Sequence, residues 1–287
     1  MRYTNPYTGT LSFQKAWFFL DDDVQHIMVS SAETTSNPST NPLISVLDQK
    51  RLNGDVVVDG QTLSQGGNFT NATTLWHDNV GYVFDNSSTA SLSVDWGVRT
   101  GNWSTIGISA AGVTSATLFS AWLDHSTSVV SNGTSNGTVL SAAPISYTVY
   151  PGTTQDGFAR KSRQSHLQTV QNDAYASAVY DEVHHTLAVV FWDASGGSVT
   201  FAPSLLLGTP LTVAADGNAA VLYRLAKGEV TVADPSQTLA SVNVSLSVSE
   251  GGNVPIGWGA SLGLTMNVEL PSGGIAGKSV TQSLFNL

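Results

Sequence analysis

The stretch Val242-Asn243-Val244-Ser245-Leu246-Ser247-Val248-Ser249 places an apolar residue at every second position, with Asn or Ser between. Successive side chains of a strand point to opposite faces, so a period of two marks a strand with one face buried and one in water. The rhythm returns downstream. Leu264, Met266, Val268 and Leu270 alternate with Thr265, Asn267 and Glu269 before the turn Pro271-Ser272-Gly273-Gly274. Val56-Val57-Val58 runs into Asp59-Gly60, a hairpin signal. Val221 to Leu225, then Gly228, then Val230 to Val232 reads as a second hairpin. Leu187-Ala188-Val189-Val190-Phe191-Trp192 is apolar throughout and reads as a strand buried on both faces. No stretch of a dozen residues shows capped helical periodicity. Strands and turns without helices predict an all-β fold of antiparallel sheets packed as sandwiches.

The chain of 287 residues is long enough for one large or two medium domains. Only 11% of it is charged, against roughly 25% in ordinary globular proteins. Solubility therefore rests on hydroxyls, amides and glycine turns. A net charge of −10 argues against nucleic acid, which needs an extended basic surface. It leaves room for a local basic cluster, because exposed charges beyond a Debye length are screened. Zero Cys excludes disulfides, thiolate metal sites and a Cys nucleophile. No apolar run is long enough for a membrane helix. Met1-Arg2-Tyr3-Thr4-Asn5-Pro6 is not a signal peptide, so a secreted form is expected to carry its targeting sequence upstream.

Seven Asn-x-Ser/Thr sequons, at Asn68, Asn71, Asn86, Asn102, Asn132, Asn136 and Asn243, point to a glycosylated, extracellular protein. Thr34 to Asn41 and Ser126 to Thr138 read as exposed loops. Pro151 to Ser165 gathers Arg160, Lys161 and Arg163 within four positions and reads as a solvated linker between two β-domains.

Other constellations read as structural. Asp21-Asp22-Asp23 alternate faces on a strand end and cannot converge on one ion without a bulge. His184 and His185 are adjacent and point apart, which suits a turn. Neither pair nor triplet predicts a metal, and no cofactor is expected. His77, Asp78, Asp124 and His125 invite a hydrolase reading, but no G-x-S-x-G elbow accompanies them. Trp17, Trp103, Trp122 and Trp192 read as core. Trp76 and Trp258 read as exposed, suited to stacking on sugar.

Several motifs in series resemble polysaccharide lyase family 8, the hyaluronate, chondroitin AC and xanthan lyases. They are Ser12 to Asp23 (SFQKAWFFLDDD), Leu75 to Phe84 (LWHDNVGYVF), Arg99 to Ile106 (RTGNWSTI), Trp122 to His125, Ile145 to Gly152 (ISYTVYPG), and Asp234 to Gln237. The resemblance implies a central β-supersandwich, galactose-mutarotase-like, over 1–161, then a smaller C-terminal β-sandwich over 162–287. It also implies a missing partner, the N-terminal α/α-toroid that carries the family's catalytic residues. No catalytic residue carries over, and the chain alone is expected to be a poor catalyst.

The family removes the proton α to a uronate carboxyl while an acid protonates the leaving glycosidic oxygen, a β-elimination. The substrate partner implied is an acidic polysaccharide. Asp48, Gln49, Lys50 and Arg51 align with a cleft motif of the family in which Glu, Asn and Arg stand for the first three. Trp76 and His77 complete the candidate substrate-binding set. The alternatives are a stand-alone carbohydrate-binding module and a structural or adhesive extracellular β-protein.

Overall fold

The computed structural model describes residues 1–36, 41–85, 90–130 and 139–286. The strands of the first half are β1 (Arg2–Thr4), β2 (Leu11–Leu20), β3 (Val24–Thr34), β4 (Ile44–Arg51), β5 (Val56–Val58) and β6 (Gln61–Thr62). Then come β7 (Gly67–Phe69), β8 (Thr74–His77), β9 (Val80–Phe84), β10 (Ser91–Asn102), β11 (Val113–Asp124), β12 (Thr127–Val130), β13 (Val139–Ala142) and β14 (Ile145–Tyr150). A single α-helix among the described residues, α1 (Gln155–Lys161), precedes the second half. There β15 (Leu167–Asn172), β16 (Ala176–Asp181), β17 (Thr186–Phe191), β18 (Gly197–Phe201) and β19 (Leu211–Ala215) are followed by β20 (Ala220–Arg224) and β21 (Glu229–Ala233). The last are β22 (Ser241–Val248), β23 (Gly263–Glu269) and β24 (Val280–Ser283).

By contacts the chain divides into two units. Asn5–Leu11 and Ala32–Gln164 make one; Met1–Thr4, Ser12–Ser31 and the chain from Ser165 make the other. Most of the hairpin β2–β3 thus groups with the C-terminal strands. The reason is apolar packing: Ala16, Phe18 and Met28 lie with Val179, Ala188 and Trp192 in one buried cluster.

In the C-terminal unit a six-stranded sheet, β15-β16-β17-β20-β21-β24, faces a four-stranded one, β18-β19-β22-β23. Leu187, Val189, Phe191, Tyr223 and Val232 of the first meet Val213, Val244, Leu246 and Met266 of the second in the core. The opposite face of β17 is covered as well, by the cluster holding Ala188. That is why its sequence has no polar alternation. β22 alternates buried Val242, Val244, Leu246 and Val248 with outward Asn243, Ser245 and Ser247, as expected.

The other unit pairs β14-β9-β8-β5-β6 in one sheet and β4-β11-β10-β7 in a second. Their inner faces bury Leu75, Tyr82, Phe84, Leu92, Val94, Phe119, Ala121 and Leu123. The two-residue turn Asp78-Asn79, both at positive φ, joins β8 to β9, and Asp59-Gly60 does the same for β5 and β6.

Two sequence expectations are corrected here. Residues 127–130, read as loop, form β12 and pair with β13, because Val129 and Val130 suit a strand. Thr34, read as loop, is the buried last residue of β3, and 37–40 and 131–138 lie outside the described residues. The expected linker holds α1, seven residues long and so invisible to a dozen-residue window. Thr154 caps it by accepting from the Gly157 N–H at 3.3 Å, and Arg160 and Lys161 fill its last turn.

Candidate functional site

The outward surface of the sheet β4-β11-β10-β7 gathers large polar and aromatic side chains in cross-strand rows. Val46, Trp122, Ser93 and Asn68 stand opposite one another across four strands. Gln49, Ser120 and Asp95 form the next row, and Arg51, Leu118 and Gly97 the one after. Directly opposed residues of an antiparallel pair share a face, so these side chains present one surface. Gln49 and Arg51 are exposed.

Hydrogen bonds preorganise part of this surface. The Trp122 indole donates to Asp124 Oδ1 at 3.1 Å, and the Ser93 hydroxyl lies against Asp124 Oδ2 and against Asn68 Oδ1 at 2.9 Å. Arg99 pairs with Asp95 four residues away on the same strand. Arg51 has no such partner among the described residues and stands free beside Gln49.

Asp48 and Lys50 do not join them. A β-bulge in β4, opposite Ala121 and Trp122, shifts the alternation at Leu47. Asp48 and Lys50 therefore oppose buried Ala121 and Phe119 and point inward. Lys50 Nζ lies 3.0 Å from Asp48 and 3.7 Å from Asp78, and reaches the carbonyls of His77 and Asp78 at 3.5 Å. Asn53 donates to Asp78 Oδ1 at 2.8 Å. One ammonium between two carboxylates ties the edge strand to the β8–β9 turn.

His77 is wholly buried. Its Nδ1 sits 3.0 Å from the Asp55 carbonyl, which can only accept, so that nitrogen carries the proton. Its ring lies 4.1 Å from that of Phe119, and Nε2 has no partner among the described residues. A ring sealed in this way packs the two sheets and cannot touch a polymer. Tyr82 donates to the Leu47 carbonyl at 3.3 Å; burial, with the Asp48 charge beside it, holds its phenol far above the ordinary range. His125 bonds Ser45 through Nε2 at 2.8 Å.

Trp76 lies on the other side of β8 from His77. Half-buried, it donates its indole N–H to the Thr153 carbonyl at 2.8 Å. The expected set thus separates into an outward pair (Gln49, Arg51), an inward ion cluster (Asp48, Lys50), a buried ring and a distant indole.

The tryptophans also depart from expectation. Trp258 is 4% exposed and donates to the Tyr223 hydroxyl at 3.1 Å, so it is core. Trp17 and Trp103, expected inside, are 42% and 53% exposed. Trp122 is half-buried on the polar face. Strand alternation could have placed it there, since its neighbours Ala121 and Leu123 are the buried ones.

Elsewhere the chemistry is structural. His184 bridges Asp181 at 2.8 Å and Asp22 at 3.5 Å, and these carboxylates raise its pKa, the Asp181 hydrogen bond foremost. Asp21 meets Arg224 at 3.7 Å. No group of three metal-ligating side chains exists among the described residues. Of the sequons, Asn68, Asn71 and Asn243 are exposed and Asn102 is partly so. Asn86, Asn132 and Asn136 lie outside the described residues.

Residues 1–162 match the family model for the super-sandwich domain of polysaccharide lyase family 8, and 168–243 that for its C-terminal beta-sandwich domain. No curated protein matches the chain. Among solved structures, a chondroitinase AC lyase seen in oligosaccharide complexes aligns over 98% of this chain and 37% of its own, at 21% identity and a TM-score of 0.75. A Paenibacillus xanthan lyase aligns over 98% and 27%, at 16% identity and a TM-score of 0.69. The Streptomyces coelicolor A3 chondroitin AC lyase bound to chondroitin sulphate aligns over 94% and 33%, at 20% identity and a TM-score of 0.63. The chain therefore spans less than two fifths of each of these enzymes. Matched by both β-domain models in order, it belongs to polysaccharide lyase family 8.

Proposed function

We propose that this chain is the β-sheet portion of a secreted lyase and holds an acidic polysaccharide on the outward face of β4-β11-β10-β7. The observation that carries this is the row geometry. Gln49, Arg51 and Trp122 share one exposed face with Ser120, Asp95 and Arg99. An amide donates to and accepts from sugar hydroxyls. A free guanidinium takes a carboxylate through two parallel bonds. An indole face receives the apolar C–H side of a pyranose ring. The net charge of −10 does not oppose this, because charges a Debye length away are screened.

Proton abstraction and leaving-group protonation are assigned to an N-terminal α/α-toroid partner, with the domain boundary near Ser162. The β-face fixes the polymer, so that bond cleavage occurs at one orientation and its cost in lost freedom is met by remote contacts. Asp48 and Lys50 support this face from beneath and do not touch sugar. The exposed sequon at Asn71, outside these rows, is consistent with secretion.

The test is binding of hyaluronan, chondroitin, xanthan and glucuronan to the chain, followed by ultraviolet absorbance of the unsaturated uronate product. Binding without product, lost in a Gln49→Ala/Arg51→Ala variant, is the expected result. Product formed by repurified chain would place the base and acid within these β-domains and defeat the assignment to the toroid.

A further inference from the structure

Helix α1 does not lie flat on the sheet beneath it. A cavity of about 390 Å³ opens between the helix, the following turn and the outer surface of β5 and β8. Its volume lies in the range of ligand pockets, and its walls have their usual character, apolar and aromatic with a few polar groups. Trp76 and Phe158 supply the aromatic walls; Gln155, Asp156 and Arg163 supply the polar ones.

The walls are held in place. The Trp76 indole is pinned to the Thr153 carbonyl. Phe158 packs on the backbone of Gly81, where an added Cβ would stand 2.1 Å from its ring, so only glycine admits the helix at this distance. Gly81 pairs with Trp76 in the sheet, which puts helix and indole on the same side. The cavity is thus on the opposite side of β8 from His77 and apart from the Gln49–Arg51 face.

The charges are unequal in availability. Asp59 also borders the cavity, but one of its oxygens takes four contacts from Thr73 and Thr74, between 2.7 and 3.4 Å. Arg163 spends only its Nε, donated to the Ala159 carbonyl at 2.7 Å. Its terminal nitrogens have no partner among the described residues. The open groups are therefore one guanidinium fork, one free carboxylate (Asp156) and one amide (Gln155), arranged beside an indole.

We propose that this cavity is a second saccharide site, which takes one uronate residue with its carboxylate on Arg163. The ring lies along Trp76, and its hydroxyls reach Asp156 and Gln155. The site stands on different residues from the proposed polysaccharide face, so either can fail alone.

Calorimetry of the chain with a glucuronate-containing tetrasaccharide, and with the same sugar carboxyl-reduced, tests this. Arg163→Ala is expected to weaken the acidic sugar about tenfold or more, the value of one lost charge-assisted pair. Arg163→Lys restores part, and the reduced sugar ignores both changes. The Trp76 indole N–H resonance should shift on titration. Ser162→Trp, which adds bulk at a lining position on the helix side and leaves Arg163 in place, is a second variant and should abolish the shift. Affinity unchanged in Arg163→Ala and Ser162→Trp overturns the site, and so does the absence of saccharide binding. Loss in Gln49→Ala/Arg51→Ala alone overturns it while sparing the proposed face; loss in the Arg163 and Ser162 variants alone supports it against that face.

Discussion

Two four-stranded antiparallel sheets, β18-β19-β22-β23 and β4-β11-β10-β7, solve the same packing problem with opposite outer faces. Each buries alternate apolar residues on one side. Outside, the C-terminal sheet carries short polar pairs that satisfy one another across strands. Thr200 meets Thr212 at 2.7 Å, Ser245 meets Thr265 at 3.0 Å, and Asn267 donates to Asn243 at 3.0 Å. Little capacity is left over for a ligand. The other sheet presents Trp122, whose indole N–H is held by Asp124, beside Gln49 and Arg51, which stand exposed. The difference separates a surface whose polar groups satisfy one another from the one proposed to hold sugar.

The inner faces should not differ, and deleting a core ring or branch on each is the largest expected effect. Phe119→Ala should cost about 3–5 kcal/mol and Leu246→Ala about 2–5 kcal/mol in urea denaturation, the transfer term plus a cavity. A cost under about 1 kcal/mol for Phe119→Ala would mean that the β4 sheet is loosely packed. The comparison of faces would then have no common baseline.

Lys50→Ala comes next. Side-chain exposures of 24% for Lys50 and 17% for Asp48 make this a partly buried cluster. Removing the ammonium leaves Asp48 and Asp78 without their shared cation, Asp78 keeping its bond from Asn53. We expect a loss of about 1–3 kcal/mol, below the cost of breaking a fully buried pair. Sugar binding by the surviving folded protein should be unchanged. A binding defect at unchanged stability would return Lys50 to the recognition face.

That expectation differs from the plain sequence reading, and the reason is local. Counting outward from Val46, which is 58% exposed, simple alternation would send Asp48 and Lys50 out and Gln49 and Arg51 in. The bulge at Leu47 reverses this, and nothing in Ser45 to Arg51 announces it. The strands themselves were legible wherever one face is wet, as in β22, because period two follows directly from burial. Trp258 was not. Between Gly257 and Gly259 it looks like a loop residue, yet the buried Tyr223 hydroxyl satisfies its indole and lets it enter the core. Helix α1 was hidden by its length, and with it the place of Arg163 in the turn that follows. The family motifs survived these gaps because they record the order of strands and turns.

The outer faces are compared most directly by paired double variants. Gln49→Ala/Arg51→Ala and Thr200→Val/Thr212→Val should each move stability by only about 0.5 kcal/mol, as exposed substitutions do. Affinity for an acidic polysaccharide should fall about tenfold in the first and stay level in the second. Equal affinity in both would erase the functional contrast.

The smallest effect concerns a carboxylate at the end of β19, beside the hydroxyl-bearing sheet. Asp216 accepts from the Asn243 side chain at 2.6 Å and from its backbone N–H at 2.8 Å, and these bonds, the side-chain one first, hold its pKa below the ordinary 3.8. A carboxylate with a depressed folded value stabilises the fold above its unfolded pKa. It loses that contribution as pH falls toward and through the folded value, because the unfolded chain binds the proton first. Asn243→Ala removes the larger bond and keeps the backbone one. The stability gap between wild type and Asn243→Ala should therefore be widest above pH 3.8 and narrow as the solution is acidified below it. Other carboxylates, Asp234 among them, titrate in both proteins and cancel in the difference. Thermal melts of the two across the acid range read that gap directly. Parallel curves would mean that Asn243 does not hold the carboxylate in solution, and that the outer face of this sheet gains nothing from that ionic contact.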